Sequence, residues 1–573
     1  MSEPVLSAPA GRHDRSGAVE LSEFLAASAI NFSMRNPAPY VLFASIVLVL
    51  LGLIIFKRRE ESAVYDDTNP SGLPSYCGAR PRGMEGMLHH PRPGLVLHAV
   101  ALTIRHGDRS AIHELPNTNE SARWVCRPVG LEQRRAAAAA RVLNVDGRPL
   151  HRSLLPQTDD GTGGHCAPGQ LTPRGFAQHA ALGRHLGRAF APLLRAIGAD
   201  HHSNASHERL YVRSTDYTRT LMSAAALLSG MLPLSMRSAA ATPLTIYTQE
   251  EETLEHTASH ACTPGGSLEC TGLQPLTIST ISTISTISTN CAQEEERLEW
   301  MHGVGLASSS KVRGDGGGEK LRSGPCPRAA ELAKAQLAAW HDDAEARREL
   351  ETFFGREVRQ LPVTNVADVL YAHACHEMRL PCAHKDGCVP PALASRFFRA
   401  GDEAYCAKFN GLLGGLRASR LAMHPLLSEI VERLTRANGG GGERLVLLSG
   451  HDTVVAQLLA AIGGMDDGRH CRWPPYASRL VFELWRPALV TANSLRHAPQ
   501  LRVLYNGVVV THLIPTCARR MDSIEATTTS LAAVADLELC PLEAFKQGTV
   551  GRIPQGSTFE AECRSEQGSA AAA

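Results

Sequence analysis

The stretch that most constrains this chain is residues 103–110 (TIRHGDRS), which ends an apolar run at residues 95–104. A buried strand that ends in a loop delivers its last side chains to the carboxyl edge of an α/β sheet, where such sheets bind ligands. Arg105 and Arg109 each offer a fork of N–H donors that suits phosphate oxygens and stays charged at physiological pH. His106 lies between them and is the candidate nucleophile, because an imidazole with a pKa of about 6.5 has a neutral fraction able to attack phosphorus.

Two distant stretches repeat this pattern. Residues 210–212 are apolar and lead to Arg213 and to a Ser/Thr/Asp cluster at residues 214–216 that could cap the next helix. A later apolar run leads to His451 and Asp452. Taken alone, an Arg-His-Gly triplet is usually an ordinary strand end and a His-Asp pair is usually a helix cap. Three such strand ends in one chain instead predict a shared anion site.

These motifs, together with residues 170–175 (QLTPRG), resemble the histidine phosphatase superfamily, specifically its acid phosphatase branch. The resemblance implies a phosphoglycerate-mutase-like α/β fold, a three-layer α/β/α sandwich with an inserted helical cap. It also implies a phosphoric monoester hydrolase that uses no metal and no other cofactor. The implied roles are nucleophile and phosphohistidine for His106, general acid for Asp452, and phosphate binding for Arg105, Arg109, Arg213 and His451.

The implied roles agree with the chemistry of phosphoryl transfer. In this reaction the protein acts chiefly by positioning the reacting groups and by neutralising negative charge that is distributed over the phosphate oxygens. Asp452 can act as an acid only while it is protonated, and the low reference pKa of aspartate disfavours that state at neutral pH. We therefore expect faster turnover in mildly acidic solution.

A chain of 573 residues is long enough to form the cores of more than one domain. Its composition changes along the sequence and divides it into segments. Residues 277–289 repeat Ile-Ser-Thr and a Gly-rich charged run follows, so we assign this region to a poorly ordered insertion. The predicted segments are a disordered tail at 1–39, a transmembrane anchor at 40–56, a Pro- and Gly-rich stem at 57–93, an α/β domain at 94–250 and 440–545, the insertion at 251–328, a helical cap at 329–439 and a C-terminal tail at 546–573.

The apolar run at residues 40–56 carries no charge and is near the minimum length for a membrane-spanning helix; a buried core helix is the alternative. It starts too late for a signal peptide and lacks a small-residue cleavage pattern. Residues 57–59 (KRR) favour a cytosolic C-terminal part, whereas downstream cysteines and the sequons at Asn119 and Asn204 favour a lumenal one. Together with the resemblance, they lead us to expect a single-pass type II protein of a secretory-pathway membrane, in the Golgi, with its catalytic part in the lumen.

All 15 cysteines follow the apolar run, which suits an oxidising compartment. An odd number leaves at least one thiol unpaired or joined to a second chain. A disulfide-linked dimer and a non-covalent dimer are therefore both possible interpretations. Cys375, Cys382, His384 and Cys388 could ligate zinc, but their spacing lacks the paired CxxC signature, and disulfides are the stronger alternative. We predict no metal.

The net charge of +1 and the absence of a basic stripe with interleaved aromatics argue against nucleic-acid binding. Residues 375–388, 478–485 and 501–511 are similar to the 2-phosphoxylose phosphatases, a membrane-anchored Golgi subfamily. That similarity implies a phosphorylated sugar as substrate, such as phosphoxylose in the linkage glycan of a proteoglycan. Two alternatives stay open. One is a broad acid phosphatase for soluble esters, inositol phosphates or lysophospholipids, and the other is a non-catalytic, membrane-tethered binder of a phosphorylated ligand.

Overall fold

The computed structural model describes the parts of the chain that carry the predicted motifs. The predicted tail at 1–39, the anchor at 40–56 and the Ile-Ser-Thr repeat lie outside the described residues. Within the described part of the chain, no helix combines the length and apolar character needed to cross a bilayer. The described residues are 74–88, 94–119, 123–127, 129–144, 147–156, 164–199, 209–233, 243–248, 326–339, 343–383, 387–411, 414–465, 469–488, 498–518, 538–551 and 558–564.

A nine-stranded mixed sheet forms the centre of the fold, in the order β10-β9-β8-β1-β7-β3-β4-β2, with β11 beside β9. The five strands from β1 to β2 run parallel, whereas β8 and β9 are antiparallel to their neighbours. The strands are β1 (Leu95–Arg105), β2 (Ala140–Asn144), β3 (Leu210–Ser214), β4 (Leu244–Thr248), β7 (Leu445–Gly450), β8 (Arg479–Pro487), β9 (Gln500–Tyr505), β10 (Val508–Val509) and β11 (Cys540–Pro541), while β5 (Cys382–Ala383) and β6 (Gly387–Cys388) form a separate hairpin.

Helices cover both faces of this sheet, which explains why β1 and β7 are apolar at successive positions and not at alternate ones. Val100, Leu102 and Ile104 of β1 pack against α2 (Pro173–Ala189) and α4 (Thr218–Met231), while α9 (Gly415–Asn438) and α10 (Asp452–Ala461) contact β1 from the other face. The predicted α/β fold is confirmed. The helices are α1 (Leu131–Ala138), α2 (Pro173–Ala189), α3 (Ala191–Ala199), α4 (Thr218–Met231), α5 (Pro327–Ala339), α6 (Ala344–Phe354), α7 (Val363–Cys375), α8 (Pro391–Asn410), α9 (Gly415–Asn438), α10 (Asp452–Ala461), α11 (Leu542–Thr549) and α12 (Phe559–Cys563).

The segment predicted as a helical cap contains α5 to α9. Helix α7 packs on α8, and α8 packs on both α9 and α10. Since α10 begins at Asp452, directly after strand β7, this packing brings cap side chains to the carboxyl edge of the sheet.

The predicted stem at 57–93 differs from the structure, because its second half belongs to the folded body. Tyr76 and Cys77 are buried, and the backbone of Tyr76 and Ala79 bonds to that of Tyr476. Glu85 is fully buried and pairs with the equally buried Arg479 at 2.6 Å. The Pro and Gly residues of this segment form turns within the fold and do not make it a spacer. The composition of the segment could not reveal which residues it contacts.

The predicted C-terminal tail at 546–573 also contributes to the fold. Helix α11 runs through Thr549, and α12 contacts α5 and α9. Cys563 at the end of α12 is bonded to Cys326, just before α5 of the cap. Two short helices and a covalent link therefore hold this end of the chain to the fold.

The twelve cysteines in the described residues pair in six disulfides, and two of these bonds take up all three cysteines of the zinc alternative. Within the described residues there is no group of His, Cys, Asp and Glu side chains arranged to hold a metal ion. The pairs are Cys77–Cys375, Cys126–Cys166, Cys326–Cys563, Cys382–Cys388, Cys406–Cys471 and Cys517–Cys540.

The Glu85 network makes stability depend on pH. Burial alone would raise the pKa of Glu85, but hydrogen bonds from His185 and Arg479 and the charge of Arg479 outweigh it and lower the pKa to about 2. Because the folded-state pKa lies below the usual value, the stabilisation is fully present above about pH 4.5 and is lost as the pH falls towards 2.

We expect Glu85→Ala to lower the free energy of unfolding by about 3–5 kcal/mol at neutral pH, because it leaves the buried Arg479 without its partner. Urea unfolding followed by circular dichroism measures this. Arg82→Ala, at an exposed position in the same segment, is the control and should change the value little. Equal stabilities for the two variants would mean that residues 74–88 are not part of the folded body.

Candidate active site

The three strand-end motifs meet at one edge of the sheet, as the sequence predicted. Strands β1 and β3 both flank β7, and the register pairs Arg105 with Gly450 and Ser214 with Ser449. The loops that follow these strands therefore leave the sheet side by side. The backbone N–H of His106 donates to Gly450 at 2.9 Å, which ties the first loop to the third.

His106 is buried, and its ring is held in one tautomer. Its Nδ1 lies 2.7 Å from the backbone oxygen of Gly107, which can only accept, so Nδ1 carries the hydrogen and Nε2 carries the lone pair. The ring of His451 lies edge-on to it with centroids 5.6 Å apart. Burial, together with the charges of Arg105, Arg219, Arg109 and His451, holds the pKa of His106 well below its usual value. The imidazole is therefore neutral and able to act as a nucleophile in mildly acidic solution.

Arg105 is fully buried between two tyrosine rings. Its guanidinium carbon lies 4.7 Å from the ring centroid of Tyr76 and 4.4 Å from that of Tyr476. One nitrogen, Nη2, donates to the Tyr76 hydroxyl and to Asp452 Oδ2, each at 2.7 Å. Tyr76 is also stacked on Tyr371 of the cap, with centroids 4.0 Å apart. Sequence motifs did not reveal Tyr76, because the segment that carries it has no periodic pattern.

Arg109 pairs with a carboxylate from the cap. Its two terminal nitrogens donate to the two oxygens of Asp368 on α7, at 3.1 and 3.0 Å. Both side chains are buried, so the forked geometry predicted for phosphate is filled by a carboxylate in the ligand-free site. Asp368 is a site residue that sequence reasoning missed, since an aspartate on an otherwise apolar helix gives no indication of its partner.

Asp452 begins α10 and accepts three hydrogen bonds. Besides Arg105, the Tyr405 hydroxyl donates to Oδ1 at 2.8 Å and the Trp473 indole N–H donates to Oδ2 at 3.1 Å. Burial would raise the pKa of Asp452, but Arg105 and the two hydrogen bonds outweigh it and hold the pKa below its usual value. The ligand-free carboxylate is ionised, so a role as acid requires a change in these contacts when substrate binds.

His451 lies beside the loop that follows β3. Its Nε2 is 3.1 Å from Thr215 Oγ1, which also bonds to Thr220 at 2.9 Å. The cluster at 214–216 was expected to cap α4 but does not. The helix begins after Tyr217 without a side-chain cap, and Asp216 instead pairs with Arg152 at 2.6 Å.

The prediction for Arg213 needs correction. Its Nη2 donates to Glu429 on α9 at 2.8 Å, and both side chains are buried. Arg213 lies inside strand β3, so its side chain points to a helix-covered face of the sheet and not past the sheet edge. Arg213 is also not among the strongest influences on the pKa of His106.

Arg219 takes the place that the sequence analysis gave to Arg213. It lies in the first turn of α4, is buried, and is the second of the charges that lower the pKa of His106. Its guanidinium carbon lies 4.1 Å from the ring centroid of Tyr217. The available signal was its position, because an arginine in the first turn of the helix that follows a strand lies at the ligand edge of the sheet.

A neutral buried histidine near three arginines, with an aspartate carboxylate paired to one of them, defines a phosphoryl-transfer site of the histidine phosphatase kind. Residues 96–271 and 398–506 match the histidine phosphatase superfamily (branch 2), and the chain belongs to this family. It is an enzyme that hydrolyses phosphoric monoesters.

Several named relatives are similar along most of the chain. The chain is 26% identical over 491 residues to 2-phosphoxylose phosphatase 1 of Xenopus tropicalis, covering 82% of this chain and 77% of the relative. The human 2-phosphoxylose phosphatase 1 is 25% identical over 450 residues, covering 76% of this chain and 75% of the relative. The human lysosomal acid phosphatase is 26% identical over 331 residues, covering 56% of this chain and 60% of the relative.

Replacing the two arginines separately tests the correction. Arg219→Ala should lower kcat/KM for any phosphate monoester by about 10²–10³-fold, because it removes a cation that faces the transferred group. Arg213→Ala should lower stability but change kcat/KM less than about tenfold, since its partner Glu429 keeps a second cation, Arg433, at 2.9 Å. The reverse ranking in steady-state assays would restore the original assignment.

The environment of His106 predicts an unusual titration. We expect the ring resonances that disappear in His106→Ala to titrate with a midpoint well below 6.5, because burial and the surrounding positive charges disfavour the imidazolium ion. Two-dimensional NMR of the ¹³C-labelled histidine rings in the ligand-free protein measures this. A midpoint at or above 6.5 would contradict the geometry.

Proposed function

We propose that this protein removes phosphate from a phosphorylated sugar through a phosphohistidine intermediate, with 2-phosphoxylose in a glycosaminoglycan linkage region as the favoured substrate. The observation that carries the chemistry is the fixed tautomer of His106, which presents a lone pair on Nε2 among buried cations. The choice of sugar is supported by the relatives named 2-phosphoxylose phosphatase 1.

In the first step, Nε2 of His106 attacks phosphorus while Arg105, Arg109, Arg219 and His451 stabilise the equatorial oxygens. A phosphate dianion competes with Asp452 and Asp368 for the arginines that these carboxylates hold in the ligand-free site. Loss of the Arg105 contact raises the pKa of Asp452, since that cation stabilises the ionised form. Asp452 then protonates the leaving oxygen as the P–O bond breaks, and water later releases phosphate from His106.

A pocket beside Asp452 is placed to hold the leaving group. It lies between the cap and the α/β body, and its lining includes Arg109, Asn365, Tyr405, Lys408, Thr453 and Trp473. Asn365 Nδ2 and Thr453 Oγ1 are buried without a hydrogen-bond partner. Aromatic rings next to unpaired polar atoms suit a hydroxylated ring, because a site built to bond a hydroxyl rejects analogues that lack it.

We also propose that the enzyme works in the lumen of a secretory compartment, held there by residues 40–56. The six disulfides support an oxidising compartment. Three further cysteines lie outside the described residues, and of the two kinds of dimer left open only the disulfide-linked one depends on an odd thiol among them. Mobility of the glycoprotein before and after glycosidase treatment, in a membrane-expressed chain, tests the lumenal placement.

A broad acid phosphatase is the second candidate, supported by the similarity to lysosomal acid phosphatase. The same site residues would serve both activities, so substrate preference decides between them. The lining of the leaving-group pocket favours a hydroxylated ring over a lipid, and the names of the relatives favour the sugar among such rings.

The test compares kcat/KM for a phosphoxyloside, an inositol phosphate, a lysophospholipid phosphate and glycerol phosphate. We expect the phosphoxyloside to be preferred by at least about tenfold. A short pulse of radiolabelled substrate quenched in alkali should label the protein on His106, since phosphohistidine survives alkali. Similar kcat/KM values across the panel would support the broad acid phosphatase.

His106→Ala should abolish the label and lower phosphate release by at least about a thousandfold, because no other group replaces the nucleophile. His151→Ala, at an exposed position, is the matched control and should keep both. A chain that binds the phosphoxyloside and releases no phosphate would establish the non-catalytic binder instead.

A further inference from the structure

The two carboxylate oxygens of Asp452 accept hydrogen bonds from different kinds of donor. Oδ2 accepts from Arg105 Nη2 at 2.7 Å and from Trp473 Nε1 at 3.1 Å. Oδ1 accepts from the Tyr405 hydroxyl at 2.8 Å. All four side chains are buried, so these bonds form away from bulk water.

The chemistry of these donors limits where a proton can sit. An indole N–H can donate but cannot accept, so a proton on Oδ2 would face the Trp473 N–H even after Arg105 has turned to the phosphate. A tyrosine hydroxyl can donate or accept by rotating about its C–O bond. A proton on Oδ1 is therefore tolerated, because Tyr405 can change from donor to acceptor.

The two aromatic residues are fixed to each other and to both halves of the site. Their rings stack with centroids 4.5 Å apart, and the backbone N–H of Trp473 donates to Asp402 on α8 at 3.1 Å. The disulfide Cys406–Cys471 links the residue after Tyr405 to the loop that carries Trp473. Tyr405 and Trp473 also line the leaving-group pocket. They therefore contact both Asp452, the proton donor, and the space that the departing alcohol would occupy.

We propose that Tyr405 and Trp473 are positioning residues that make Oδ1 of Asp452 the atom that carries the proton and delivers it to the leaving oxygen. The inference rests on the proposed function. As the P–O bond breaks, its electron pair stays on the leaving oxygen, which takes the proton from Oδ1, while phosphorus becomes bonded to Nε2 of His106. Asp452 returns to a carboxylate whose charge Trp473 stabilises at Oδ2 and Tyr405 at Oδ1.

Removing either donor has a distinct effect. Trp473→Phe removes a bond made to Oδ2 in both protonation states, and a bond to the ionised form is the stronger of the two. Tyr405→Phe removes a donor to the anion and also the acceptor that holds the proton on Oδ1. The other charged and titratable groups around Asp452 are Arg105, Arg109 and His451, and neither variant changes them.

The experiment uses the full chain and measures kcat/KM against pH for an alkyl ester, glycerol phosphate, and for an activated ester, p-nitrophenyl phosphate. For the alkyl ester, which needs the acid, Trp473→Phe should move the upper limb of the profile to higher pH by about one unit. Tyr405→Phe should lower kcat/KM by about tenfold and move the upper limb less than Trp473→Phe does. The reason is that the proton on Oδ1 loses the acceptor that orients it. With p-nitrophenyl phosphate, whose leaving group needs no acid, both variants should lose less activity than with the alkyl ester, and the upper limb of the profile should not move.

Trp485→Phe is a matched control, since it also removes an indole bond to a buried carboxylate, Glu483, at 3.0 Å, but on the sheet away from the site. It should leave both profiles unchanged. Equal losses on the two esters, or an upper limb that does not move in Trp473→Phe, would overturn the inference while leaving the phosphatase intact. A parent chain without activity on either ester would overturn the proposed function and the inference together.

Discussion

The burial of the Arg105 guanidinium next to the nucleophile is the constraint on which the site depends. A charge removed from water is costly unless it is paired and hydrogen-bonded. Here the compensation comes from Asp452 after β7, Tyr76 in the N-terminal segment and Tyr476 in the loop before β8. The cationic site can therefore form only when three distant parts of the chain are folded together.

Two of the three arginines in the site are paired with carboxylates. Arg105 is balanced by Asp452 from the sheet edge, and Arg109 by Asp368 from the cap. A phosphate group that enters must replace carboxylates as well as water. The cap thus contributes charge to the phosphate site in addition to walls for the leaving group, and this couples binding of the phosphate to the arrangement of α7.

Sequence patterns predicted the features that depend on local order. The apolar runs of β1, β3 and β7 and the loops after them placed His106, Arg105, Arg109, His451 and Asp452 at one edge of an α/β sheet, as the structure has them. Arg213 was misplaced because the pattern located the strand correctly but did not take account of which face its last residues occupy. Arg219, six residues further on and in the first turn of α4, met the physical requirement better.

The remaining site residues could not be predicted because their roles depend on tertiary contacts. Tyr76 lies in a Pro- and Gly-rich stretch that resembles a spacer, yet Cys77 is bonded to Cys375 at the end of α7. Asp368 and Tyr405 lie on cap helices where the periodicity predicts only a buried face. Their partners are 259 and 47 residues away in sequence, and no local motif encodes such distances.

The Cys77–Cys375 bond has a topological consequence. It joins the part of the chain before the Ile-Ser-Thr insertion to the part after it. A protease that cut the backbone within the insertion would therefore yield two polypeptides that stay in one covalent molecule. The halves of the catalytic centre would remain tethered, and reduction would be needed to release one from the other.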